Sequence, residues 1–362
     1  MLCRVGWLSK SKRYSKSSFR PNLIQLTPHF SLLTPHSSFN RRRCIIAVLI
    51  DANMTERQTL SFLAKTLERA GLQPKTKYGQ NFLVDLNLLD ILVKGAEIEK
   101  TDVILEVGTG VGSLTKLMAP LAGEVITVEI DRDLQALAAK ELRSVSNVTM
   151  LSFDALRNKN NLREEMLVAV REKMATIPNA KFKLVANLPY NIATPIISNL
   201  LSVDPVPQKM VVTIQKELAQ RMIAPPGCKD YSALTIWMQS LCDCQILRIL
   251  PPSVFWPSPK VDSAIIQVTP DPEKRKRIVD LDYFHTHLRA LFFHRRKFIR
   301  SQLHTATQDD LTKPQVDQIL AQLGHEPNLR AEQLSVEQII DLLEATRQMT
   351  LANTAQPPQD NN

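Results

Sequence analysis

Cysteine is scarce in this 362-residue chain. The five present, Cys3, Cys44, Cys228, Cys242 and Cys244, are odd in number and keep no disulfide spacing, which excludes a disulfide-stapled scaffold and fits a reducing compartment. Cys242 and Cys244 enclose a single residue and have no His or Cys partner at zinc-site spacing, so they read as small apolar packers on a strand, and no metal is expected. Long apolar runs are missing too. The longest uninterrupted one in the first 60 residues, Cys44 to Ile50, is far shorter than the roughly 20 residues a membrane span needs, so no membrane segment is expected. There is no internal repeat, and no low-complexity block beyond the first 53 residues. The apolar content of 44% fits a globular protein, and the length favours two domains over one.

Acid is nearly absent from the start of the chain. Residues 1–53 carry nine Lys or Arg against Asp51 alone, a net of +8 out of the overall +9. The remainder holds 36 basic and 35 acidic residues, so any RNA affinity of the body must come from a local basic patch and not from overall charge. The Ser-, Arg- and Pro-containing composition of residues 1–53 resembles an organelle transit peptide, which would place the protein in a plastid or mitochondrion. The other reading is a disordered extension or a misassigned start, with Met54 opening directly into a patterned helix and a cytoplasmic protein.

From Thr55, residues Leu60, Leu63, Leu67 and Ala70 share a helical face that Gly71 terminates, giving an N-terminal helix within residues 54–73. A linker through Pro74 then leads into alternating short β-rich runs and amphipathic stretches. Strands are expected at Val103 to Val107, Val125 to Ile130, Val148 to Phe153, Phe182 to Ala186, Met210 to Ile214, Gln245 to Leu250 and Ala264 to Val268. Helices are expected at Ser113 to Met118 and Arg132 to Leu142, with a further stripe at Leu162, Met166, Val170 and Met174. This pattern implies an α/β domain over residues 74–270 with a seven-stranded, mostly parallel sheet covered on both faces. The last two strands leave no room for a crossover helix, so one should run antiparallel. Beyond Pro270 the stretches Tyr283 to Leu303, Lys313 to Leu323 and Val336 to Thr346 predict a small all-α domain over residues 271–349, followed by a polar, frayed tail at residues 350–362.

Two motifs carry chemistry. The glycine loop Glu106-Val107-Gly108-Thr109-Gly110-Val111-Gly112 follows the first strand, where backbone can approach a ligand closely. Its third glycine comes two residues after the second, whereas the dinucleotide fingerprint wants three. Glu129, ending the second strand, is placed to accept hydrogen bonds from a ribose diol, which NAD and S-adenosylmethionine both present. Asp154, after the third, could accept from an adenine amino group or simply cap a helix. About 80 residues beyond the loop, Asn187-Leu188-Pro189-Tyr190 ends a buried strand at the sheet edge where α/β proteins bind ligands. An exocyclic amine is a poor nucleophile because its lone pair is delocalised into the ring. The Asn187 side-chain oxygen and the Pro189 carbonyl, both acceptors, would favour the tetrahedral nitrogen of a methyl-transfer transition state, while Tyr190 stacks on the base.

At this point the chain resembles the ribosomal RNA adenine N6-dimethyltransferase family, most closely its bacterial small-subunit branch. The segments that carry the resemblance are Tyr78-Gly79-Gln80-Asn81-Phe82-Leu83, Glu106 to Gly112, Asn187 to Asn191, Pro251 to Ser263, and His294-Arg295-Arg296-Lys297. It implies a class I (Rossmann-like) methyltransferase that uses S-adenosyl-L-methionine to dimethylate N6 of two adjacent adenines near the 3′ end of small-subunit rRNA. By matched position it implies that Asn81, Leu83, Gly108, Gly110, Glu129, Asp154 and Asn187 contact the cofactor. Thr109 stands where the family usually has proline, and the stretch from Asn158 to Ala180 is longer than usual. Phe255, in a proline-rich loop, is the natural second face of a stacking clamp for the base, or else a buried loop anchor. Arg289, Arg295, Arg296, Lys297 and Arg300, interleaved with Phe292, Phe293 and Phe298, suit phosphate contacts, and Lys274 to Arg277 extend the patch.

The expected partner is small-subunit rRNA in a pre-ribosomal particle, met by a monomer. Two rivals stand beside this reading. A large-subunit rRNA adenine dimethylase shares the chemistry, but the Pro-Pro-Ser-x-Phe and Arg-Arg-Lys segments favour the small-subunit branch. A non-catalytic assembly or transcription factor on the same fold is opposed by intact Asn187 and Tyr190.

Overall fold

Apolar runs without polar alternation make strands that are buried on both faces, and these occupy the centre of the molecule. The computed structural model describes residues 60–355 apart from 160, 295, 308 and 309. The readings for residues 1–53, and for a helix start before Leu60, lie outside the described residues. Helix α1 (Leu60–Arg69) buries Leu63 and Leu67 and is followed by Gly71 at φ +69°; Ala70, expected on the same face, is exposed. A strap of residues 72–81 then leads to β1 (Phe82–Leu83) and α2 (Leu86–Ala96). The Asp85 side chain caps α2 by accepting from the Asn87 N–H at 2.9 Å.

The main elements follow as β2 (Asp102–Val107), α3 (Ser113–Met118), β3 (Glu124–Val128), α4 (Arg132–Glu141), β4 (Val148–Leu151), a hairpin of β5 (Leu156–Asn158) and β6 (Asn161–Leu162), then α5 (Glu164–Thr176), β7 (Lys181–Asn187), α6 (Ala193–Leu200) and β8 (Lys209–Gln215). After α7 (Lys216–Met222) and α8 (Ala233–Leu241) come β9 (Cys242–Leu250), β10 (Phe255–Trp256) and β11 (Ser263–Pro270). Seven strands form one sheet in the order β4-β3-β2-β7-β8-β11-β9. In this sheet β4, β3, β2, β7 and β8 are mutually parallel; β11 is antiparallel to both its neighbours, and for β9 the short connection requires it. β1 pairs with β10 in a separate antiparallel ribbon, Leu83 opposite Phe255.

The two-residue period of strands sorts the core. On β2, Val103, Leu105 and Val107 join one hydrophobic cluster, while Ile104 faces α2 and α3 in the other, with Leu89, Leu92 and Leu114. After the short α9 (Pro272–Lys276), the first cluster continues into the C-terminal helices α10 (Leu281–Leu291), α11 (Ile299–Ala306), α12 (Lys313–Gln322) and α13 (Val336–Ala355), through Trp237 against Phe284, then Leu288, Leu303, Ile319 and Leu343. The described residues form one compact unit. Among the described residues no helix is long and apolar enough to cross a membrane.

Three sequence expectations are corrected. Leu162 belongs to β6 and not to the following helix, whose stripe starts at Met166. The stretch from Tyr283 to Leu303 is two helices, because the chain leaves helical geometry after Leu291 and the buried Gln302 side chain holds the intervening loop, donating to the carbonyls of His294 at 2.8 Å and Lys297 at 3.2 Å. The last helix runs through Thr350 to Ala355, so the expected polar tail begins later; residues 356–362 lie outside the described residues.

Candidate active site

An open cleft of about 720 Å3, counted to its mouth, lies at the carboxyl ends of the parallel strands. Its floor comes from Val107 and Gly108 after β2, Val128 to Ile130 after β3, Phe153 to Ala155 after β4 and Asn187 to Pro189 after β7, and the strap residues Tyr78 to Phe82 roof it. Two glycines admit the close packing of the roof and floor. Gly108 (φ +90°) would bring a Cβ to 3.3 Å from Pro189 Cδ, and Gly110 (φ +56°) would bring one to 3.1 Å from the Phe82 ring. A side chain at either position is strained by its φ alone.

Glu129 ends the second parallel strand with its carboxylate inside the cleft wall, 5% exposed. Its Oε2 accepts from the Gly110 N–H at 2.9 Å and its Oε1 from the Asp131 N–H at 3.0 Å, so each oxygen keeps lone-pair capacity for a further donor. Burial is the largest influence on this carboxyl and raises its pKa above the usual range, opposed by those backbone donors. Beneath the loop, Glu106 is wholly buried, accepts from Thr115 and from Thr127 (2.7 Å), and is pushed by burial up to about 8. Thr109 adds its hydroxyl to this chain, 2.6 Å from that of Thr127. Asp154 lines the cleft and its Oδ1 accepts from the Leu156 N–H at 3.0 Å; it caps the turn into β5, not a helix.

The strap is tied down by charge. Lys75 Nζ donates to Asp131 Oδ1 at 2.9 Å and to Asp133 Oδ2 at 3.0 Å, while Gln80 Nε2 donates to Asp131 Oδ2 at 3.2 Å. Asp131 is the N-cap of α4, accepting from the Asp133 N–H, and the Lys75 and Gln80 hydrogen bonds help hold its carboxyl below the usual range although burial pushes the other way. Asn81 then presents its main-chain carbonyl to the Asn187 side chain, whose Nδ2 donates to it at 2.9 Å. That bond commits the amide nitrogen and leaves Oδ1 as an acceptor on the cleft residue. The Pro189 carbonyl accepts from the Ile192 N–H at 3.1 Å in the turn that starts α6, so one of its two lone pairs is engaged. Tyr190 is half-buried and its hydroxyl is hydrogen-bonded to Ser263 Oγ on β11, which orients the ring; burial raises its pKa.

The structure thus brings Asn81, Gly108, Gly110, Glu129, Asp154, Asn187 and Pro189 to one cleft, with Tyr190 next to it in the chain. Other expected residues lie elsewhere. Leu83 is buried in the β1 pair and does not line the cleft. Phe255 departs from the clamp reading: it is 3% exposed, opposite Leu83, packed in the core with Leu89 and Leu92 because the β1–β10 ribbon turns its ring inward. Arg300 is paired within the protein: its guanidinium donates to both carboxylate oxygens of Asp317 on α12, in a partly exposed ion pair. Arg296 and Lys297 are exposed on the loop between α10 and α11, and Arg295 lies outside the described residues. Lys75, Leu134 and Phe153 were assigned no site role in the sequence, and Gln80 and Asn191 appeared there only within motif segments; only the Tyr78-Gly79-Gln80-Asn81 segment signalled the strap.

Comparison with known proteins points one way. Residues 71–348 match the family model described as ribosomal RNA adenine dimethylase. The chain is 38% identical over 261 residues to the ribosomal RNA small subunit methyltransferase A of Clostridium botulinum, covering 72% of this chain and 89% of that protein. It is 37% identical over 287 residues to the protein of the same name from Streptococcus equi subsp. zooepidemicus, covering 79% and 96%. Among solved structures it is similar to a dimethyladenosine transferase from Plasmodium falciparum, with 26% identity, a TM-score of 0.60 and coverage of 73% and 96%. It also shares its fold with the 23S rRNA methyltransferase ErmE, with 22% identity, a TM-score of 0.52 and coverage of 74% and 99%.

Proposed function

The chain belongs to the ribosomal RNA adenine dimethylase family, and on that premise we propose that it transfers methyl groups from S-adenosyl-L-methionine to N6 of two adjacent adenines near the 3′ end of small-subunit (16S) rRNA, giving N6,N6-dimethyladenosine during small-subunit biogenesis. The observation that carries the reading is the Asn187 carboxamide, which lines the cleft and is held by Asn81 with its oxygen left to accept. Close relatives that act on the small subunit favour that substrate over the large-subunit alternative. The partner is a pre-ribosomal particle met by a monomer in the cytoplasm, with residues 74–270 as the methyltransferase domain and residues 271–349 as the helical RNA-contacting domain.

The cleft fits S-adenosyl-L-methionine, which supplies a methyl group on a sulfonium. Glu129 would accept from the ribose diol with the lone pairs left by Gly110 and Asp131. Asp154 would take the adenine amino group on the oxygen not used by Leu156. Val107, Val128, Ile130, Leu134 and Phe153 supply apolar wall for the purine. For the RNA adenine, Asn187 Oδ1 and the second lone pair of the Pro189 carbonyl accept the N6 hydrogens and favour a tetrahedral nitrogen. Tyr190, its hydroxyl tied to Ser263, stacks on the base and fixes its plane. The leaving thioether is neutral and water takes the proton, so no general base is called for. Mass spectrometry of small-subunit rRNA from cells with and without the gene tests the proposal: dimethyladenosine at two adjacent positions should vanish with the gene, and its persistence would contradict the reading.

A further inference from the structure

The loop between α10 and α11 turns one phenylalanine in and two out. Phe292 is buried and meets Tyr231 edge-on at 6.4 Å. Phe293, next in the chain, is 78% exposed, and Phe298 at the far end of the same loop is 52% exposed. Arg296 and Lys297 are exposed between them, Arg289 is exposed one helical turn before, and no acidic residue occurs between Asp282 and Asp309. The loop is built to hold this arrangement. Gln302, 3% exposed, donates to the His294 and Lys297 carbonyls, the Lys297 N–H donates to the His294 carbonyl at 2.9 Å, and the Ile299 N–H reaches across to the Leu329 carbonyl at 2.7 Å. Phe293 and Phe298 therefore flank a loop anchored at the His294 and Lys297 carbonyls and at the Ile299 N–H, with little of either ring in the core.

We infer that Phe293 and Phe298 are base-stacking platforms that take unpaired RNA nucleotides while Arg296 and Lys297 hold the neighbouring phosphates. The inference rests on the reading of this basic loop as an RNA contact and adds to it a preference for single-stranded over duplex RNA. Charge complementarity names the occupant: a polyanion alone needs no exposed phenyl, and an apolar protein surface is poorly matched to a loop that also exposes Arg296 and Lys297 with no acidic residue near them in the chain. Aromatic faces flanked by cations suit splayed bases, because each base offers a π-face and each nucleotide a phosphate. Paired bases in an A-form helix have their faces buried in the stack and cannot use them.

The test compares binding of a short fluorescein-labelled single-stranded RNA with a blunt duplex of the same length, using the full-length protein across a salt series. Phe293→Ala and Phe298→Ala should each weaken single-strand binding by about tenfold, leave the duplex and the salt slope unchanged, and leave the melting temperature near that of the parent. Phe293→Trp and Phe298→Trp should bind like the parent, whereas the Leu variants should bind like Ala. Parental single-strand affinity in the Ala variants, or full rescue by Leu, overturns the inference. So does loss of binding to intact ribosomal subunits with RNA affinity unchanged, which would mean a protein partner. A double Arg296→Ala, Lys297→Ala variant separates the two readings: if it loses salt slope while the Phe variants behave as parent, the RNA contact stands and stacking falls. If it too is unchanged, the RNA reading of the loop falls with it.

Discussion

The carboxamide of Asn187 donates to the main-chain carbonyl of Asn81 at 2.9 Å, across 106 residues of sequence. A carbonyl can only accept, so the bond selects one of the two amide orientations and directs the acceptor oxygen away from Asn81. The strap that supplies this carbonyl is itself fixed to the N-cap of α4 through Lys75 and Gln80. The cofactor-side roof and the methyl-accepting side of the cleft are therefore one connected construction.

Glu129→Ala should weaken S-adenosyl-L-methionine binding by about 1–3 kcal/mol, the range for losing hydrogen bonds to a charged group. Because burial raises the Glu129 pKa, affinity in the parent should also begin to fall on acidification at a higher pH than an exposed carboxylate would show. Calorimetry across pH reads both effects, and an unchanged affinity in a folded Glu129→Ala protein removes the residue from the cofactor site.

Tyr190→Phe removes only the hydroxyl that meets Ser263. Methyl transfer should stay within a few-fold of the parent while stability drops by about 1 kcal/mol for the unpaired Ser263. Tyr190→Ala should raise the RNA concentration needed for half-maximal rate. Steady-state kinetics with urea melts distinguishes stacking from a hydroxyl role, which a large rate loss in Tyr190→Phe would indicate.

Glu106 binds its proton more tightly folded, at about 8, than unfolded, near the ordinary 4.5. Between those values the folded state holds the extra proton, so its contribution is fully present below about 4.5 and is lost as pH rises through about 8. The stability difference between the parent and Glu106→Gln should shift by up to about 1.4 kcal/mol per pH unit across that window, with the parent losing ground as pH rises. Urea midpoints of the two proteins at matched pH give the difference directly; a constant offset would show that Glu106 does not titrate there.

Neutralising Arg296 and Lys297 should reduce the salt slope of single-stranded RNA binding by about 1.4, two phosphates at about 0.7 each. Arg300→Ala should leave that slope unchanged and instead lower stability, because Arg300 is paired with Asp317. A slope reduced by Arg300→Ala would show that the ion pair opens to take a phosphate.

The central strands were legible because they are buried runs, and the antiparallel relation of the last two strands followed from the length of their connection. The cleft was legible where a residue's place at a strand end determines its direction, as for Gly108, Glu129 and Asn187. Partnerships across the fold were not. Arg300 looks like part of a basic run until α12 brings Asp317 to it, and Phe255 looks exposed in a proline-rich loop until β10 pairs with β1. Helix α2 carried readable signals in the Asp85 cap and the apolar Leu88, Leu89, Leu92 and Val93, yet the linker reading from Pro74 concealed it. Lys75 gave no local sign, because Asp131 is 56 residues away.

The most direct measurement is single-turnover methyl transfer to purified small subunits lacking the modification, comparing the parent with Asn187→Ala. The parent should form N6,N6-dimethyladenosine at two adjacent adenines, and Asn187→Ala should do so about 100-fold more slowly or less, with some loss of cofactor affinity allowed. Near-parental dimethylation by a folded Asn187→Ala protein would contradict the account.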